Sequence, residues 1–199
     1  MCNMSKDEKK TCIAISGTMA SGKSTVLSYL KQLGYITINC DIINVELQKI
    51  NEKGYLKIVE SFGKDILNDN KEINRKKLAH IIFNDSKKKE LLESIMHPLI
   101  LERINEIKEK HSFVFVEVPL LYELGWKKYF DEDWLITCDE SLCYERCIQD
   151  RNMTKEEVKA RLDHQMSREL KLEKATVVIE NNGNIEELHK KIDLLLERI

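Results

Sequence analysis

Three groups of residues in this sequence have the types and spacing to do chemistry. The first is Gly17-Thr-Met-Ala-Ser-Gly-Lys-Ser24, which fits G-x-x-x-x-G-K-[ST]. It lies between a short apolar run and an amphipathic stretch, so a strand should end at it and a helix begin within it. Gly17 and Gly22 permit backbone angles that a β-carbon disfavours. The amides of Ala20, Ser21, Gly22, Lys23, Ser24 and Thr25 can then converge on phosphate oxygens at the positive end of a helix. Lys23 should reach the β- and γ-phosphates, and the Ser24 hydroxyl should ligate Mg²⁺. The group this loop predicts is ATP carried with Mg²⁺.

The second group is a set of isolated acids beside apolar runs. Asp41 follows "YITIN", at the carboxyl end of an expected second strand. Carboxyl ends of strands face the ligand crevice in a doubly wound sheet. A carboxylate there can take or orient the proton of an acceptor hydroxyl and can help hold Mg²⁺. The bland alternative is that Asp41 caps the following helix. Glu117 ends "FVFVE", either near metal-bound water or as an edge polar residue. Glu123 follows in a loop. The third group is four arginines, Arg146, Arg151, Arg161 and Arg168, in a highly charged stretch. Their planar donor forks suit the charge spread over a transferring phosphoryl group.

These residues need a scaffold, and the apolar pattern supplies one. Runs at 11–16, 35–39, 113–118, 134–138 and 176–180 read as strands, most of them apolar on both faces, as in a parallel sheet covered on both sides. Helical stretches alternate with them, which predicts a doubly wound α/β domain. The gap between the second and third strands far exceeds a simple crossover. It should form a helical lobe at about 43–111, broken near "SFGKDILNDNKEINR". A core of 11–42, 112–138 and 174–199 and a lid at about 139–172 complete one domain over 1–199. Within the lid, a helix over about 141–149 precedes a capping box at Thr154 and Glu157 that should start another, through about Met166. A last amphipathic helix, "IEELHKKIDLLLERI", ends the sequence.

Composition narrows the class. With 42% hydrophobic and 33% charged residues the chain can bury a core and remain soluble. A net charge of −2 with interspersed signs leaves no footprint for nucleic acid or a membrane surface. No apolar run approaches the roughly 20 residues of a membrane span, and "MCNMSKDEKK" carries no secretory pattern. The six cysteines form no CxxC pair, so they read as reduced thiols in a cytoplasmic protein, with no protein-held metal centre. Switch-type GTPase motifs, D-x-x-G and N-K-x-D, are absent.

Several further segments resemble the dephospho-coenzyme A kinase family over about 13–195: "NCDII", "FGKDIL", "INRKKLAHIIF", "LLESIMHPLI", "EVPLLYE", "RLDHQMSRELK" and "VVIENNG". The resemblance implies a P-loop kinase fold, a doubly wound five-stranded parallel sheet with an inserted helical acceptor-binding lobe and a helical lid. It implies transfer of the ATP γ-phosphoryl group to the ribose 3′-hydroxyl of dephospho-coenzyme A, the last step of coenzyme A synthesis. On that likeness Asp41 is the acceptor-side base, Lys23 and Arg146 act on the phosphates, and Arg151, Arg161 and Arg168 are lid arginines. His97, Pro119, Leu120, Leu121 and Glu123 would bind the acceptor; read without the likeness, His97 is equally a structural histidine. The chain departs from the family pattern at Asn39 and Glu117, where Asp is usual, at Lys171, where Arg is usual, and in the order of Asp150-Arg151. Other readings are a different small-metabolite kinase of this architecture, or an ATP-binding protein without catalysis.

Overall fold

The computed structural model describes residues 10–151, 154–158 and 165–199. Its sheet has five strands, β1 (Thr11–Gly17), β2 (Ile36–Asn39), β3 (Phe113–Glu117), β4 (Glu132–Thr137) and β5 (Val177–Glu180), in the order β2-β3-β1-β4-β5. β1 is central and runs parallel to β3 and β4, and β4 runs parallel to β5. The register sets Ile15 beside Glu117, Gly17 beside Ile136 and Thr137 beside Glu180, so the carboxyl ends of these strands share one edge. This is the doubly wound parallel sheet that the two-faced apolar strands imply.

The segments form two compact units, one comprising 1–38 and 111–199, the other 39–110. In the first, Ile13, Ile15, Phe115, Trp134, Ile136 and Ile179 form a buried layer. Val26 and Leu30 of α1 (Lys23–Gln32) and Leu188 and Ile192 of α8 (Ile185–Leu196) pack on it. Between β4 and α8 lie α6 (Glu140–Arg151) and α7 (Arg168–Lys174). The capping box forms as the sequence predicts: Thr154 Oγ1 accepts the Glu157 amide at 3.2 Å and Glu157 Oε2 accepts the Thr154 amide at 2.9 Å. The helix it starts is described over 155–158, and residues 159–164 lie outside the described set.

Two details differ from expectation. β4 begins at Glu132 rather than 134, because Glu132 and Asp133 pair with Ile13 and Ala14. Two consecutive acids read as loop, yet Asp133 is fully buried. Its carboxylate accepts the Tyr122 hydroxyl at 2.7 Å and the Thr176 hydroxyl at 2.6 Å and pairs with Lys127 at 3.0 Å, so the buried charge is matched. Burial and that carboxylate push the Tyr122 phenol well above its usual pKa. The second detail corrects the reading of six separate thiols: Cys138 and Cys143 are disulfide-bonded, with Cα atoms 6.0 Å apart. Cys138 follows β4 and Cys143 lies in α6, so the turn between them brings the two within bridging range.

The second unit is helical: α2 (Cys40–Leu47), α3 (Lys53–Phe62), α4 (Arg75–Asn84) and the 23-residue α5 (Ser86–Lys108), against which the other three pack. The predicted break falls at a 3-10 turn, Lys64–Ile66, and an antiparallel bridge between Leu67 and Ile73. Side chains of Asn39, Asn74 and Asp85 cap α2, α4 and α5. Among the described residues no helix is long and apolar enough to cross a membrane.

Candidate active site

The phosphate loop leaves β1 at the carboxyl edge of the sheet and enters α1 at Lys23. A β-carbon on Gly17 would fall on the Ile136 carbonyl oxygen, and one on Gly22, at φ +100°, on the Asn181 side-chain amide. The two glycines therefore answer to close packing as much as to backbone freedom. Ala20 holds φ +59°, a left-handed angle carried by a residue with a side chain. Gly22 stands at the N-cap without a side-chain bond, so the first turn of α1 keeps amides directed at the loop. Lys23 Nζ donates to the Gly17 carbonyl at 3.0 Å and the Thr18 carbonyl at 2.8 Å, which folds the ammonium over the loop.

Ala20, Gly22, Ser24 and Thr25 form one wall of a cavity of about 380 Å³. The facing wall comes from the turn after β5: Asn181, Gly183 and Asn184, with Ile185 and Leu188 of α8. Arg146, from α6, closes one side. Asn181 ties these parts together. Its side-chain amide donates to the Ser21 carbonyl at 2.9 Å, its backbone amide donates to the Thr137 carbonyl at 2.7 Å, and its carbonyl accepts Arg146 Nη1 at 3.2 Å. The cavity thus offers a half-buried guanidinium, a helix N-terminus, a Ser24 hydroxyl and a partly apolar wall, a set suited to a phosphate chain with a planar apolar group attached. The exposed Ser24 hydroxyl is the hard oxygen donor that Mg²⁺ takes beside phosphates and water.

The remaining expected site residues divide. Arg168 is engaged at the strand ends, with Nε donating to Thr137 Oγ1 at 3.0 Å and Nη2 3.9 Å from Glu180 Oε1. Arg161 and the side chain of Arg151 lie outside the described residues. Of the residues after β3, Pro119 is half-buried and Leu120 remains 40% exposed, but Leu121 has no exposed surface. Leu121 therefore packs beneath the loop, which corrects its expected role as an acceptor contact. Glu123 Oε1 pairs with Lys171 Nζ at 3.0 Å and accepts the Met166 amide at 2.9 Å.

In the helical unit, Asn39 rather than Asp41 caps α2: Asn39 Oδ1 accepts the amides of Asp41 at 2.7 Å and Ile42 at 3.1 Å. The capping alternative for Asp41 falls with that, and its carboxylate is exposed in the first turn of α2. His97 is half-buried inside α5, where burial lowers its pKa below the usual histidine value and Glu93 partly offsets it. The cavity residues that sequence reasoning left out of the site are Asn181, Gly183, Asn184, Ile185 and Leu188. For the turn, the signal was present in "VVIENNG", as an Asn-Gly turn straight after a strand.

A strand–phosphate loop–helix unit on the central strand of a parallel sheet defines a P-loop nucleotide-binding protein. The family profile for dephospho-CoA kinase (CoaE) matches residues 11–187. A curated dephospho-CoA kinase of Lactobacillus johnsonii is 35% identical over 192 residues, 94% of this chain and 97% of the relative. A solved Thermus thermophilus structure aligns with TM-score 0.82 at 27% identity, covering 96% of this chain and 98% of that one. The structure of dephospho-CoA kinase from Campylobacter jejuni aligns with TM-score 0.61 at 28% identity, over 94% and 96%. The chain belongs to the dephospho-CoA kinase family.

Proposed function

We propose that this enzyme transfers the γ-phosphoryl group of ATP to the ribose 3′-hydroxyl of dephospho-coenzyme A, giving coenzyme A and ADP. The observation that carries the reading is the family match, which runs from the phosphate loop through the helical unit and past β5 rather than stopping at the loop. In this account the loop amides and Lys23 hold the phosphates, and the partly apolar wall beside Asn181 and Asn184 takes the adenine. Arg146 stabilises the charge that spreads over the phosphoryl oxygens in transfer. Ser24 would hold Mg²⁺, which would supply positive charge against the phosphates.

Asp41 is assigned the acceptor side. It follows the carboxyl end of β2 directly, its carboxylate is exposed, and the cap role that would occupy it belongs to Asn39. There it accepts the proton of the attacking hydroxyl. His97, Pro119 and Leu120 are assigned to acceptor binding, Leu121 to supporting their loop, and Arg151, Arg161 and Arg168 to the cover; Glu123, with its carboxylate on Lys171 and the Met166 amide, is not assigned to the acceptor. The reaction draws on ATP, and we place it in the cytoplasm. An acceptor panel tests the reading. With ATP and Mg²⁺, dephospho-coenzyme A should drive ADP release, whereas shikimate, gluconate and free nucleosides should not. Equal turnover on any of these, or ADP release without an acceptor, overturns it.

A further inference from the structure

The helix α7 is held to its unit in an unusual way. It has seven residues, too few to be stable alone. Its one buried residue is not apolar but Lys171, with no exposed surface. The partner of that ammonium is Glu123, in the loop after β3. The same carboxylate oxygen fixes the chain just before the helix through the Met166 amide. The other oxygen, Glu123 Oε2, Gln165 Oε1 just before the helix and Lys171 Nζ itself are buried without a hydrogen-bond partner, so the ammonium is held by its ion pair with Glu123 Oε1. A buried charge pair of this kind adds little net stability but fixes geometry, because neither charge tolerates loss of the other.

What the pair fixes lies one turn away. Arg168 opens α7 and spans the carboxyl ends of β4 and β5 through Thr137 and Glu180. The Thr137 carbonyl holds the backbone amide of Asn181. Asn181 in turn holds the Ser21 carbonyl in the phosphate loop and the Arg146 guanidinium. A continuous set of contacts therefore runs from Lys171 to both walls of the cavity, without Lys171 touching the cavity itself. We propose that Glu123 and Lys171 are positioning residues for nucleotide binding: their ion pair docks α7 so that Arg168 holds the strand ends on which Asn181 and Arg146 depend. This rests on the reading that the cavity takes ATP.

The test is ATP affinity by calorimetry in the full-length protein, well below each variant's melting temperature, alongside steady-state kinetics. Wild type should bind ATP; if it does not, the reading of the cavity fails, and the proposal with it, before any variant is compared. Lys171→Met should raise the ATP Kd and the KM for ATP by about tenfold or more, the scale expected of a displaced binding group. Lys171→Arg, which keeps the charge, should recover to within about threefold. Arg168→Ala should weaken ATP to a similar degree. Combined with Lys171→Met it should add little, because both act through the same contacts. If Lys171→Met does not fold, Glu123→Gln with Lys171→Met removes both charges and decides the matter. A folded variant of either kind that binds ATP within about twofold of wild type, or losses that multiply with those of Arg168→Ala, would show the pair to be structural only and overturn the proposal.

Discussion

Replacing Gly22 by Ala tests how the phosphate loop is built. Gly22 sits at φ +100°, and its missing β-carbon leaves the space that the Asn181 side chain fills. An alanine there bears a left-handed backbone cost of about 1–2 kcal/mol. It also drives the Asn181 amide off the Ser21 carbonyl, now 2.9 Å away, at roughly 1–3 kcal/mol for a buried group left unpaired. Reduced freedom of the unfolded chain returns up to about 1 kcal/mol. The net loss is about 1–5 kcal/mol, a fall in Tm of roughly 2–20 °C for a chain of this size. Because the loop amides can no longer converge, ATP affinity should also fall by about tenfold or more. Thermal melts by circular dichroism and ATP calorimetry measure both. Adding Asn181→Ala removes the collision, so the double variant should lose less than the sum of the singles. A melting temperature within about 1 °C of wild type, or strictly additive losses, would refute the contact between Gly22 and Asn181 as the reason for the glycine.

Three other outcomes follow from the same geometry. Asp41→Asn should lower kcat by about 10²-fold or more with ATP affinity unchanged, as loss of a proton acceptor predicts; unchanged kcat removes Asp41 from the chemistry. Leu30→Ala, at a site with no exposed surface, should cost about 2–5 kcal/mol in urea melts, and a loss below 1 kcal/mol would contradict the packing of α1 on the sheet. The lowered pKa of His97 means that below about pH 6.5 the unfolded chain takes up a proton the folded chain resists. Stability should therefore rise with pH as pH approaches 6.5 from below, and His97→Gln should flatten that slope in urea melts across pH 5–8; an unchanged slope refutes the assignment.

Much of the scaffold was legible because it follows from short-range rules. Apolar runs on both strand faces announced the parallel sheet, and Thr154 with Glu157 announced a helix start that forms as written. The phosphate loop was legible because its chemistry is carried by backbone and two glycines in sequence. What the sequence concealed depends on contacts between distant segments. Asp133 read as loop because its partners Tyr122, Thr176 and Lys127 are brought to it only by folding. The facing wall of the cavity went unassigned because Asn181 gains its meaning from Ser21, 160 residues earlier. Asp41 looked equally like a cap, and only the Asn39 side chain, two residues before, decides against that. Leu121 shared a motif with the exposed Leu120, and burial alone separates the two.

The central claim is the fate of one phosphoryl group. Incubating the enzyme with Mg²⁺, dephospho-coenzyme A and ATP labelled with ¹⁸O in the γ-phosphoryl group, then reading the products by mass spectrometry and ³¹P NMR, follows it directly. The account predicts one labelled phosphate on the ribose 3′-hydroxyl for each ADP formed. Label in inorganic phosphate, or on any other hydroxyl, would contradict it.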